Sequence, residues 1–123
     1  MLNKQNRLNS ARLFNTVYKY GRKRKSEYGM FVALLDKNYS AENPSVCPAK
    51  FGFIVKKKIG NAVQRHKMTR WLRELSREAL KASSSRLDGL IISYIAFTLP
   101  ASYQELKKDF EEALESLLKE YER

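Results

Sequence analysis

Residues 1–25 contain no acidic residue, and the whole chain of 123 residues has one cysteine, one histidine, three prolines and five glycines. A lone Cys47 cannot close an internal disulfide, which fits a reducing compartment. Cys47 and His66 stand in neither a C-x-x-C nor an H-E-x-x-H pattern, so no metal-binding or redox motif is present. No apolar run approaches the roughly 18 to 20 residues that span a bilayer. The longest such segment, Leu90 to Leu99, is interrupted by Ser93 and Thr98 and reads as a buried strand. Asn3, Lys4, Gln5, Asn6 and Arg7 follow Met1 and Leu2 and leave no signal-peptide core, so a cytoplasmic protein without a membrane partner is expected. Repeats, low-complexity segments and linkers are also missing. The chain therefore reads as one domain over 1–123, long enough for a single modest core.

What is present is positive charge, unevenly placed. The formal net charge is +11 and the sequence pI about 9.9. One basic block comprises Lys4, Arg7, Arg12, Lys19 and Arg22 to Lys25; a second runs from Lys50 to Lys81 and contains only Glu74 and Glu78 as acids. The last turns of the chain reverse the sign with Glu105, Asp109, Glu111, Glu112, Glu115, Glu120 and Glu122. Such segregation predicts a molecule with a cationic binding side, and nucleic acid is the partner class that suits it.

Periodicity places the elements. Ser10 caps a helix over 11–20 that Gly21 ends, with Phe14 and Tyr18 four apart on one face. An apolar strand is expected over Tyr28 to Leu35, then a polar loop over 36–49 with Pro44 and Pro48, then a strand over Lys50 to Val55 whose poor alternation at Gly52 fits either burial on both faces or close approach by a neighbour. Asn61 caps a long helix in which Met68, Leu72, Leu75 and Ala79 form an apolar stripe with Trp71 at its edge. His66, Arg70, Arg73 and Arg77 form a second, cationic stripe well away from it. Ser83, Ser84 and Ser85 are expected to end this helix. Asp88-Gly89 turns into a strand over Leu90 to Phe97, and Ser102 with Glu105 makes a capping box for a final amphipathic helix. The order is helix, two or three strands, helix, strand, helix: an α+β fold with helices packed on a small sheet.

Chemistry narrows the reading further. The acids of the last helix are spaced as a solvated face, and His66 has no carboxylate nearby in sequence to orient it as a base. No catalytic residue and no metal site is assigned to the protein. Gly60-Asn61 beside Lys56, Lys57, Lys58 and Arg65 favours phosphate contact, with backbone N–H groups at the helix start as a cradle. Phe14 and Tyr18 fit either core packing or a platform for unpaired bases. Their neighbours Arg12, Lys19 and Arg22 to Lys25 favour the platform.

The run Lys57-Lys58-Ile59-Gly60-Asn61-Ala62-Val63, with Arg65, Arg70, Arg73 and Glu74 beyond it, resembles the signature of the bacterial ribonuclease P protein subunit. Asn6-Arg7-Leu8 with Phe14, Val17 and Gly21, Phe51-Gly52-Phe53, Asp88-Gly89-Leu90-Ile91-Ile92 and Pro100-Ala101 extend the resemblance over most of the chain. It implies a two-layer α+β sandwich with a small mixed four-stranded sheet and about three helices in α-β-β-β-α-β-α order. It also implies a left-handed β-α-β crossover, against the usual hand. The function implied is that of a single RNA-binding domain: the small partner of a catalytic RNA that removes the 5′ leader of precursor tRNA. Hydrolysis would rest with Mg²⁺ held mainly by the RNA, and the free protein is expected to be a monomer. Carried over, Lys56, Lys57, Lys58, Asn61, Arg65, His66, Arg70, Arg73 and Arg77 are expected to bind RNA, and Phe14, Tyr18 and Thr69 to line the leader's cleft. The chain departs from the family pattern at His66, where Asn is usual, and at Thr69, where Lys is usual. It also lacks the Arg often found before the Pro-Ala pair. A structural ribosomal or RNA-chaperone protein without a processing role, and a protein nuclease acting alone, are the competing readings. The ordered signature disfavours the first, and the missing acid–base and metal clusters disfavour the second.

Overall fold

Alternation along two central strands sets the architecture. The computed structural model describes residues 4–8, 10–36 and 48–121, with the backbone alone for 83–85. Strands β2 (Gly29–Leu35) and β4 (Leu90–Ala96) are buried along most of their length on both faces, as expected of strands covered on two sides. Phe31, Ala33, Ile92, Tyr94 and Ala96 point one way into the main core, and Met30, Val32 and Ile91 point the other way into a smaller one. Two further strands, β1 (Arg22–Lys25) and β3 (Lys50–Ile54), complete a mixed sheet in the order β1-β2-β4-β3. β1 and β4 are antiparallel to β2, and β3 is parallel to β4.

The main core lies under two helices, α2 (Ala62–Leu87) and α3 (Tyr103–Tyr121). Met68, Leu72 and Leu75 supply its α2 side, and Leu106, Phe110, Leu114 and Leu117 its α3 side, as the apolar stripes require. Phe31 sits edge-on to both Tyr94 and Phe110 with ring centroids 5.0 Å apart. Sheet and α2/α3 thus form the expected sandwich. Helix α1 (Ala11–Tyr20) adds a partial layer on the opposite face, where Val17 and Leu8 meet Met30, Val32 and Ile91.

Local signals explain most boundaries. The Leu13 amide donates to the Ser10 hydroxyl at the start of α1. Asn61 and Gln64 cap α2 reciprocally: each side-chain oxygen accepts the other's backbone N–H, at 3.0 and 2.9 Å. Such a cap is worth about 1 kcal/mol. Gly89 takes φ 86° in the turn before β4, the only left-handed φ among the described residues and the reason glycine stands there.

Three expectations are corrected. The serines at 83–85 do not end α2, which continues to Leu87. A serine costs a helix only a few tenths of a kcal/mol, whereas burying Leu87 fully gains about 2 kcal/mol. Only half of the capping box of α3 forms. The Glu105 amide donates to the Ser102 hydroxyl at 3.3 Å, but the Glu105 carboxylate accepts from the Tyr28 hydroxyl at 2.9 Å instead of returning to the cap. Nor are the acids of α3 merely solvated. Asp109 accepts the backbone N–H groups of Glu27 and Tyr28, Glu115 takes Arg86 bidentately, and Glu120 pairs with Arg22 and Arg24. Glu111 and Glu112 are exposed as expected, and Glu122 lies outside the described residues. So do Cys47, Pro44 and most of the polar loop expected over 36–49.

Candidate nucleic-acid interface

The basic run Arg22–Lys25 is a strand, so its four cations alternate. Arg22 and Arg24, opposite Ala33 and Phe31, face α3 and are committed to Glu120; Arg22 also lies 5.7 Å from the ring centre of Tyr121. Lys23 and Lys25, opposite Val32 and Met30, stand on the α1 side. Lys23 donates to the Tyr18 carbonyl at 3.0 Å and holds its ammonium 4.8 Å from the centre of the Tyr18 ring. Half of this basic block is structural and half belongs to the α1 face.

On that face a groove of about 400 Å³ runs between α1 and the sheet. Phe14, Asn15 and Tyr18 form its helical wall. Met30 of β2, Ile54 of β3, and Ser93 and Ile95 of β4 form its floor, as strand alternation dictates. Lys56 and Lys58 close one side, and Phe97 closes the β4 end. Gly52 makes the wall possible. A Cβ there would lie 2.3 Å from Cζ of Phe14, so a larger residue would push the ring off the sheet. Phe14 is half-buried against the small core, whereas Tyr18 is 52% exposed. The two aromatics predicted from helical spacing therefore divide the roles left open between them: Phe14 packs and lines the groove, and Tyr18 mainly lines it.

Beyond β3 the chain makes a 3-10 turn, Lys57–Ile59, and then enters α2. Lys56, Lys57 and Lys58 are exposed on this turn, and Arg65 folds back to donate Nε to the Gly60 carbonyl at 3.2 Å. His66, Arg70, Arg73 and Arg77 are all exposed on α2, opposite its apolar stripe. Among the described residues, no acid lies within 4.0 Å of Lys56, Lys57, Lys58, Arg65, Arg70 or Arg73. Arg77 differs: its Nε lies 3.3 Å from Glu74, whose carboxyl is held below the usual range by that hydrogen bond and by the neighbouring positive charge.

Two placements change the expected picture. Of the backbone N–H groups expected to form a cradle at Gly60-Asn61, those of Asn61 and Gln64 already serve the reciprocal cap. Thr69 is not among the residues lining the groove; it is half-buried on α2, and its hydroxyl donates to the Arg65 carbonyl at 2.9 Å. Conversely, Asn15, Ser93 and Phe97 line the groove without having been singled out from sequence. Parity was the available signal for Phe97, two residues past Ile95 on a strand whose odd positions face α1. The cationic face carries no carboxylate besides Glu74, and among the described residues no group of three or more His, Cys, Asp or Glu could hold a metal ion. No helix among them is long and apolar enough to cross a membrane.

Comparisons with known proteins identify the family to which this chain belongs. The family model described as Ribonuclease P matches residues 2–118. The chain belongs to the ribonuclease P protein family. It is 32% identical over 118 residues to the ribonuclease P protein component of Pseudarthrobacter chlorophenolicus, covering 96% of this chain and 81% of that one. The ribonuclease P protein of Thermotoga maritima superposes with a TM-score of 0.59 at 27% identity, over 95% of this chain and 98% of that one. The ribonuclease P protein of Staphylococcus aureus shares the fold with a TM-score of 0.73 at 24% identity, over 91% of this chain and 94% of that one. The α+β fold with a mixed four-stranded sheet and three helices is thus that of the ribonuclease P proteins.

Proposed function

We propose that this chain is the protein subunit that a catalytic RNA uses to bind precursor tRNA. In this reading the turn at Lys56 to Lys58 and the exposed face of α2, with Arg65, Arg70 and Arg73, bind RNA phosphates. The groove between α1 and the sheet holds the single-stranded 5′ leader. One observation carries the reading: the aromatic-walled groove and the cationic helix are contiguous through Lys56 and Lys58, so one molecule can hold a folded RNA and an unpaired strand at once. Lysines beside aromatic rings suit single-stranded nucleic acid, where phosphates meet cations and bases stack. The donor set of this face does not fit a metal site, so Mg²⁺ and the hydrolytic step are assigned to the RNA partner. The protein contributes affinity and position. The cytoplasm and a monomeric free state go with this assignment.

The test is cleavage of precursor tRNA by the cognate catalytic RNA at low Mg²⁺, with and without this chain. Stimulation is expected. An equal rate in both conditions would contradict the proposal, and cleavage by the chain without the RNA would favour a protein nuclease.

A further inference from the structure

Phe97 is a large apolar side chain, 46% exposed, at the end of β4. Its backbone is fixed, since its N–H donates to the Tyr28 carbonyl at 2.8 Å and continues the β2–β4 pairing one step beyond Ala96. Alternation turns its ring to the same face as Ser93 and Ile95, and it closes the β4 end of the groove. The other two groove aromatics have local partners: Phe14 packs into the small core and Tyr18 lies under Lys23. Among the described residues, Phe97 joins neither core cluster and has no cation over its ring. A phenylalanine ring left about half exposed forgoes part of the stabilisation that full burial would provide. A half-exposed ring presented into a groove from a backbone held by strand pairing is the arrangement a stacking platform needs.

We propose that Phe97 is a binding residue that stacks one unpaired base at the β4 end of the groove. This rests on the reading of the groove as the leader's site. The groove is then chemically graded: Lys56 and Lys58 take phosphates on the β3 side, and Phe97 takes a base on the β4 side. A phenyl ring can neither donate to a phosphate nor read a base edge. Recognition at this end therefore depends on the presence and stacking strength of a base, and only weakly on its identity.

The experiment reconstitutes the chain with its catalytic RNA and measures binding of precursor tRNAs carrying a single abasic nucleotide at successive leader positions. With the unaltered chain, one position should lose about five- to tenfold in affinity, the low end of base–aromatic stacking, as suits a half-exposed ring. Phe97→Ala should weaken intact precursor tRNA by a similar factor, leave mature tRNA unchanged, and silence that one abasic position. Phe97→Trp should restore it. If Phe97→Ala is silent at every position while Phe14→Ala still discriminates precursor from mature tRNA, the inference fails and the groove assignment stands. If neither substitution nor any abasic site affects precursor binding, both fail. Equal losses for precursor and mature tRNA would make Phe97 a structural residue and overturn the inference.

Discussion

At the residue scale, similar side chains do different work according to their neighbours. Arg70 and Arg77 share the exposed face of α2, yet Arg77 is paired with Glu74, whereas among the described residues no acid lies within 4.0 Å of Arg70. An ion pair must be broken or shared before Arg77 can serve a phosphate. Arg70→Ala and Arg65→Ala are therefore expected to weaken binding of the catalytic RNA and to flatten its salt dependence by roughly one unit per lost contact. Arg77→Ala should change the slope by less. A salt titration of RNA affinity measures all three, and equal slopes for Arg70→Ala and the unaltered chain would contradict the role given to Arg70. Tyr28 shows the same dependence on environment away from the groove. Its hydroxyl donates to Glu105, and that hydrogen bond pushes its pKa up to about 12. A phenol raised above its ordinary value near 10 contributes stability that is complete below that value and is lost as the pH rises through the folded one. Tyrosine ring signals followed by NMR should show one phenol titrating near the raised value, and Glu105→Gln should return it towards the ordinary one.

At the scale of elements, the groove depends on how closely α1 approaches the sheet at Gly52. Gly52→Ala is expected to displace Phe14 and to cost roughly 1–3 kcal/mol, as overpacking does. It should also weaken precursor tRNA binding more than mature tRNA binding. Urea denaturation and the two affinities check this, and an unchanged precursor affinity would show that Phe14 does not shape the site. Helices α1, α2 and α3 were legible in sequence because capping residues and 3.6-residue stripes mark them locally, and β2 and β4 because both read as apolar runs. What was not legible depends on partners distant in sequence. Arg22–Lys25 has no apolar residue to announce a strand. It becomes one because β2 offers an edge and Glu120 and Tyr121 receive its arginines. The end of α2 was misplaced because the burial of Leu87 outweighs a local serine signal. In the site, the cationic stripe followed from helical spacing alone. The closing of the groove by Phe97 required knowing that β3 and β4 are neighbours.

At the scale of the whole molecule, the acidic helix α3 neutralises part of the basic hairpin and leaves the rest of the positive charge on the α1 groove and the exposed face of α2. A net charge of +11 on 123 residues repels itself. Anions that bind the folded state should stabilise it by mass action, so sulfate at constant ionic strength is expected to raise the thermal midpoint saturably. An unmoved midpoint would mean that the cationic face tolerates its own repulsion. The same polarity underlies the proposed role, in which one contiguous surface holds both a catalytic RNA and the unpaired leader. The most direct measurement is the ratio of affinities for precursor and mature tRNA, determined for the catalytic RNA alone and for its complex with this chain. The chain is expected to raise this ratio, and Phe14→Ala to lower it again. A ratio unchanged by the chain would rule out a leader-binding role for the groove.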